Sequence, residues 1–203
     1  MRVRGVPEKS LTFSQLFRAI FGDPSGSLFG NFTVRTEGGV DAKTGRGKGS
    51  SFWFYSAAGA EVEVDTETGK VRVMRINTAV DVGKAIHPLQ CNLQNEGSAL
   101  AGLGSALFEE MRFDNGQTIN GTFLDYLLPS TMDYPEDFQS LLVETPHPDG
   151  PFGAKGMGEA ALPPTAPAIG NAVANALSGA RVRDLPLKPD KIIAAIRSEK
   201  ETR

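Results

Sequence analysis

Residues Gly153 to Glu159 read G-A-K-G-M-G-E and continue A-A-L-P-P-T-A-P-A-I-G-N-A-V. Gly153, Gly156 and Gly158 carry no Cβ, so the backbone can pass close to a ligand and can adopt φ > 0. One carboxylate, Glu159, stands directly behind them, ahead of apolar residues and a proline-started helix. A lone acid at the end of a glycine-rich loop, pressed against an apolar wall, suits a general base beside a large cofactor. The run is not a Walker loop, because Lys155 lies between the glycines and no Lys-Ser/Thr pair closes it. Nor is it G-x-G-x-x-G, so a dinucleotide-binding fold fits poorly. Taken alone, a glycine-rich run before a helix is also a common turn.

Other residue types limit what else this chain can do. There is one cysteine, Cys91, and two histidines, His87 and His147. A disulfide framework is excluded. An iron–sulfur cluster held by this chain alone is excluded too, since it needs about four thiolates. A structural zinc site is disfavoured for the same reason. Cys91 reads as a small buried hydrophobe, and both histidines read as loop residues beside prolines. The chain has 203 residues, 40% of them hydrophobic and 22% charged, which allows a sizeable core in one large domain or two small ones. Net charge is −3 and the basic residues are scattered, which argues against a nucleic-acid partner. No apolar run approaches the roughly 20 residues of a membrane span. MRVRGVPEKS lacks the apolar core of a secretory signal, and the cysteine-poor composition leads to the expectation of a reducing cytoplasm.

The elements that must position these residues follow from periodicity. Residues 1–50 divide from residues 51–203. In the first part, Ser10 to Phe21 has Leu11, Phe13, Leu16, Phe17 and Ile20 at helical spacing, with Ser10 or Thr12 as cap. Residues 22–50 are rich in Gly and Ser and read as a long loop or an arm lying on something else. From residue 60 the chain alternates with period 2, turns at D-T-E-T-G, and returns through Val71, Val73 and Arg75 as a β-hairpin. Val71 to Val82 is apolar enough for a central strand, and Asp81-Val-Gly83 turns the chain. Leu89 to Phe108 is a predicted helix whose glycines call for close packing, since each costs about 1 kcal/mol relative to alanine. Short strands flank Asp114-Asn-Gly116, and Leu141 to Thr145 is a further strand. Helices are predicted over Pro164–Leu177 and Asp190–Ser198. Hairpins and small-residue helices interleave, so the fold class is α+β, a mixed sheet packed with small-residue-rich helices.

Four segments in order resemble the large, molybdopterin-binding subunit of the xanthine dehydrogenase / aldehyde oxidase / carbon monoxide dehydrogenase family. They are AEVEVDTETGKVRVMRI, AVDVGKAIHPLQCNLQNEGSALAGLGSALFEE, DYLLPS, and GAKGMGEAALPPTAPAIGNAVANAL. The second is similar to the pattern D-V-G, N-P, glutamine and a glycine-containing helix ending in L-x-E-E. The fourth is similar to the catalytic G-x-G-E segment with its helix. The chain departs from the pattern at His87, where the family has Asn, and at Leu93, where it has Gly. The resemblance covers the C-terminal part of that subunit, either one half of a split subunit or a truncated fragment.

The resemblance implies oxidative hydroxylation of an N-heterocycle or an aldehyde, with oxygen from water and two electrons passing to molybdenum. The metal is held by the dithiolene of the pterin rather than by protein side chains. Glu159 is then the base, held in a pocket framed by its glycines and enclosed with the help of a companion polypeptide. Lys155, Gly156, Met157 and Gly158 offer amide N–H groups to the cofactor, and Gln94 exchanges hydrogen bonds with pterin amide edges. Implied partners are the upstream half of the molybdopterin subunit, an iron–sulfur subunit with 2Fe-2S clusters and a flavin subunit with FAD. Two other readings stay open. One is a non-catalytic scaffold or interaction subunit. The other is an anion- or nucleotide-binding domain that uses the helix start after Pro163.

Overall fold

The computed structural model describes residues 2–3, 6–27, 29–31, 33, 38–50 and 53–202. Leu28, Phe32 and residues 34–37 of the glycine-rich stretch lie outside them, as does Phe52. The chain divides into two compact units, residues 1–37 and 38–203.

Among the described residues, the first unit holds a short hairpin, β1 (Arg2–Val3) with β2 (Val6–Ser10), and one helix, α1 (Phe13–Phe21). Thr12 is the cap. Its hydroxyl accepts from the Gln15 N–H at 3.2 Å, and the Gln15 side chain accepts from the Thr12 N–H at 2.8 Å. This reciprocal pair satisfies two donors at the helix start. Gly22 closes the helix in the left-handed region, with φ 75°.

The second unit is built on a three-stranded sheet, β5 (Ser56–Val64), β6 (Val71–Asp81) and β9 (Asp137–Val143), with β6 in the middle. β5 and β6 are antiparallel; β6 and β9 are parallel. The remaining strands form two small hairpins, β3 (Gly39–Val40) with β4 (Gly47–Lys48), and β7 (Phe113–Asp114) with β8 (Gln117–Thr118). The alternation of β6 breaks once, because a bulge opposite Glu61 and Val62 inserts an extra residue. Val73 faces the core before it, and Ile76, Thr78 and Val80 face the core after it. Arg75, expected to continue the inward alternation, instead points out and pairs with Glu61 and Asp137.

Two helices, α2 (Pro88–Leu107) and α3 (Leu162–Ala176), pack on the sheet, and α4 (Pro189–Thr202) adds Ile192 to the core. Ile76, Val80, Leu103, Ile169 and Ile192 are fully buried. The α2 glycines answer the expectation of close packing unequally. A Cβ on Gly102 would lie 2.8 Å from Thr165 Cβ, so α2 and α3 meet there backbone to backbone. A Cβ on Gly97 would meet nothing within 4 Å. Asn95, fully buried in α2, donates to Thr78 Oγ1 and Ser140 Oγ at 2.7 Å each, tying the helix to β6 and β9.

Candidate functional site

The glycine-rich loop runs from a short 3-10 turn at Pro151–Gly153 to the start of α3. Its first half is pinned to the end of β6. Gly83 and Ala154 form an isolated bridge, in which the Lys155 N–H donates to Val82 O and the Lys84 N–H to Gly153 O, each at 2.9 Å. Gly83 has φ 65°, and a Cβ there would fall on the Gly153 carbonyl, so only glycine fits this crossing. Beneath the crossing, Lys155 Nζ donates to Asp81 Oδ2 at 2.6 Å, with side-chain exposures of 8% and 9%. Asp81 also accepts from the Gly83 N–H at 3.0 Å and the Thr145 N–H at 3.2 Å. Burial pushes the Asp81 carboxyl up, but the hydrogen bonds from Lys155, Gly83 and Thr145 outweigh it and hold it below its ordinary value.

The second half of the loop faces outward. Gly156, Gly158 and Glu159 are exposed, while Met157 turns its side chain onto the core. Among the described residues, the N–H groups of Gly156, Met157 and Gly158 have no acceptor, and a Cβ on either glycine would meet nothing within 4 Å. Gln94, exposed on α2, donates its side-chain amide to Gly158 O at 2.6 Å. Gln94 and the loop, far apart in sequence, are therefore brought together on one open face.

Behind that face the chain is fixed. Ala160 and Ala161 are fully buried. The hydroxyl of buried Ser98 accepts from the N–H groups of Ala161 and Leu162 at 3.1 and 2.9 Å. This corrects the anion-binding reading. The first free donors of α3 are satisfied by Ser98, and Pro163 and Pro164 have none to give.

Two site expectations need correction. Glu159 is not pressed against an apolar wall: the wall lies behind its backbone, at Ala160 and Ala161, and the carboxylate itself is exposed with no partner among the described residues. The pocket that its glycines were to frame is open in this chain. Lys155, expected to offer its amide to the cofactor, has both its amide and its ammonium engaged inside the chain. Asp81 and Ser98 were missed as site residues. The D-V-G turn marks Asp81 locally, but its grip on Lys155 and that of Ser98 on Ala161 each reach a segment more than 60 residues away, which no local pattern shows.

Comparison with known proteins places this geometry in a family. The family model for the molybdopterin cofactor-binding domain matches residues 1–135. The 6-hydroxypseudooxynicotine dehydrogenase complex subunit gamma of Paenarthrobacter nicotinovorans is 36% identical over 142 residues, covering 69% of this chain and 18% of that protein. The crystal structure of the aldehyde oxidoreductase from Desulfovibrio gigas superposes with a TM-score of 0.70 at 33% identity, over 79% of this chain and 17% of that one. A carbon monoxide dehydrogenase chain from Oligotropha carboxidovorans shares the fold over 100% of this chain and 24% of its own, with a TM-score of 0.74 and 24% identity. The chain belongs to the molybdopterin cofactor-binding domain family, and aldehyde oxidoreductases are among its relatives. It spans less than a quarter of the length of each of these three proteins.

Proposed function

We propose that this chain supplies the catalytic base and one wall of the molybdopterin pocket in a molybdenum hydroxylase acting on an N-heterocycle or an aldehyde. The observation that carries the reading is the shared open face of Gln94, Gly156, Met157, Gly158 and Glu159. Unpaired main-chain donors next to an amide suit a ligand rich in hydrogen-bond acceptors and amide edges, which a pterin is. Gly156, Met157 and Gly158 would donate N–H groups to the cofactor, and Gln94, with one amide N–H given to Gly158, would offer its side-chain oxygen and its second N–H. When bound, the cofactor would supply a two-electron acceptor at molybdenum for the oxidation of substrate, while water would supply the oxygen atom. Glu159 accepts the proton that a water-derived nucleophile must lose, for which it needs hydrogen-bond reach of about 3 Å.

An exposed carboxylate does this work poorly until water is excluded around it. The enclosing wall therefore belongs to a companion polypeptide, the upstream half of the molybdopterin subunit. Its footprint includes the exposed apolar side chains beside Gln94, Leu89 at 65% and Leu93 at 58% exposure. Iron–sulfur and flavin subunits carrying 2Fe-2S clusters and FAD complete the electron path; Cys91 is this chain's one cysteine. The cytoplasm is the proposed location. Among the described residues no helix is long and apolar enough to cross a membrane. The test is metal analysis and mass of the complex isolated through a tag on this chain. Molybdenum and a companion of several hundred residues support the reading; a chain isolated with neither opposes it.

A further inference from the structure

We infer that Lys155 is a positioning residue: through its buried ion pair with Asp81 it clamps the glycine-rich loop to the sheet and so fixes where Glu159 stands. The inference rests on the reading of Glu159 as the base, but the clamp itself is a property of this chain. The Asp81 carboxylate gathers donors from three separate segments. Gly83 follows β6, Thr145 follows β9, and Lys155 lies in the loop. The pair is nine-tenths buried. Removing one partner would leave a lone buried charge, so the two groups hold each other in place. Three residues separate Lys155 from Glu159, and Ser98 fixes the chain just beyond, at Ala161 and Leu162. Glu159 thus sits in a short span anchored at both ends, while its own carboxylate has no hydrogen-bond or ion-pair partner among the described residues. A base that needs accurate placement but has no polar partner to hold its side chain depends on such anchors.

The substitutions are Lys155→Met alone and combined with Asp81→Asn in the full chain. The double variant leaves no unpaired charge in the core, and the Asn oxygen still accepts from Gly83 and Thr145. Hydrogen exchange is read at the bridging amides of Lys84, His147 and residue 155, with the β5–β6 ladder as internal control. The expected result is exchange about tenfold faster or more at the bridging amides, with the ladder unchanged. Unchanged exchange there overturns the clamp. A second readout uses the unaltered protein: under reductive methylation Lys155 reacts far more slowly than exposed Lys43, and equal rates overturn the buried pair. In the assembled enzyme the double variant lowers kcat by about a hundredfold with KM little changed. Loosened exchange with undiminished kcat overturns the positioning role. If the parent complex holds no molybdenum, the reading of the site fails while exchange and methylation still decide the clamp.

Discussion

The side-chain amide of Gln94 and the carbonyl of Gly158 meet at 2.6 Å, across 64 residues of sequence. The contact ties the second turn of α2 to the residue before Glu159, and the Gln94 oxygen has no partner among the described residues. A hydrogen bond between exposed groups contributes about 1 kcal/mol net. Gln94→Met keeps the length of the side chain and removes both polar atoms. Its melting temperature is expected to fall by only about 2–4 °C, while molybdenum content of the isolated complex falls severalfold. Calorimetry and metal analysis on the same preparation separate the two effects. A large loss of stability with full metal would make Gln94 a purely structural residue.

The α2 glycines give an opposed pair. Gly102 has Thr165 Cβ and Leu162 O within 3 Å of where a Cβ would stand, so Gly102→Ala is expected to cost about 1–3 kcal/mol through overpacking. Gly97 opens onto space, so Gly97→Ala is expected to stabilise the isolated chain by about 0.5–1 kcal/mol. Urea denaturation at constant m-value measures both, and shifts of the same sign would contradict the packing described.

Breaking the Asp81–Lys155 pair on one side should be costly. Lys155→Met leaves the Asp81 charge buried, at an expected cost of about 3–5 kcal/mol, and adding Asp81→Asn recovers part of it. The pair also sets an acid limb. The Asp81 carboxyl titrates below its ordinary value in the folded chain. Its contribution is therefore complete above the unfolded value of about 3.9 and is lost as pH falls through the lower folded value. Stability measured by urea between about pH 5 and pH 2 should decline less steeply in the double variant than in the parent. Equal slopes would remove Asp81 from the acid limb.

Much of this was written locally. The β5–β6 hairpin follows from alternation and the D-T-E-T-G turn, where Asp65 accepts from Glu67 and Thr68. The glycines and acid of the loop stand next to each other in sequence. What was not legible is long-range. Parallel pairing of β9 with β6 leaves no turn between them to read. The bulge that turns Arg75 outward shows only once β5 and β6 are in register. The pairing of Lys155 with Asp81, 74 residues apart, is set by the sheet and not by any local motif. Glu159 was expected in an apolar setting because its neighbours are apolar, but their side chains point into the core and its own points away.

The Glu159 carboxylate is proposed as the base of a molybdenum site. Glu159→Gln is nearly isosteric, and since the carboxylate has no partner among the described residues, its loss should leave the fold intact. The direct measurement is molybdenum content and turnover of the complex isolated with Glu159→Gln beside the parent. Equal molybdenum per complex and turnover reduced by about a hundredfold or more are expected. Equal molybdenum with parental turnover would place the base elsewhere and contradict that role.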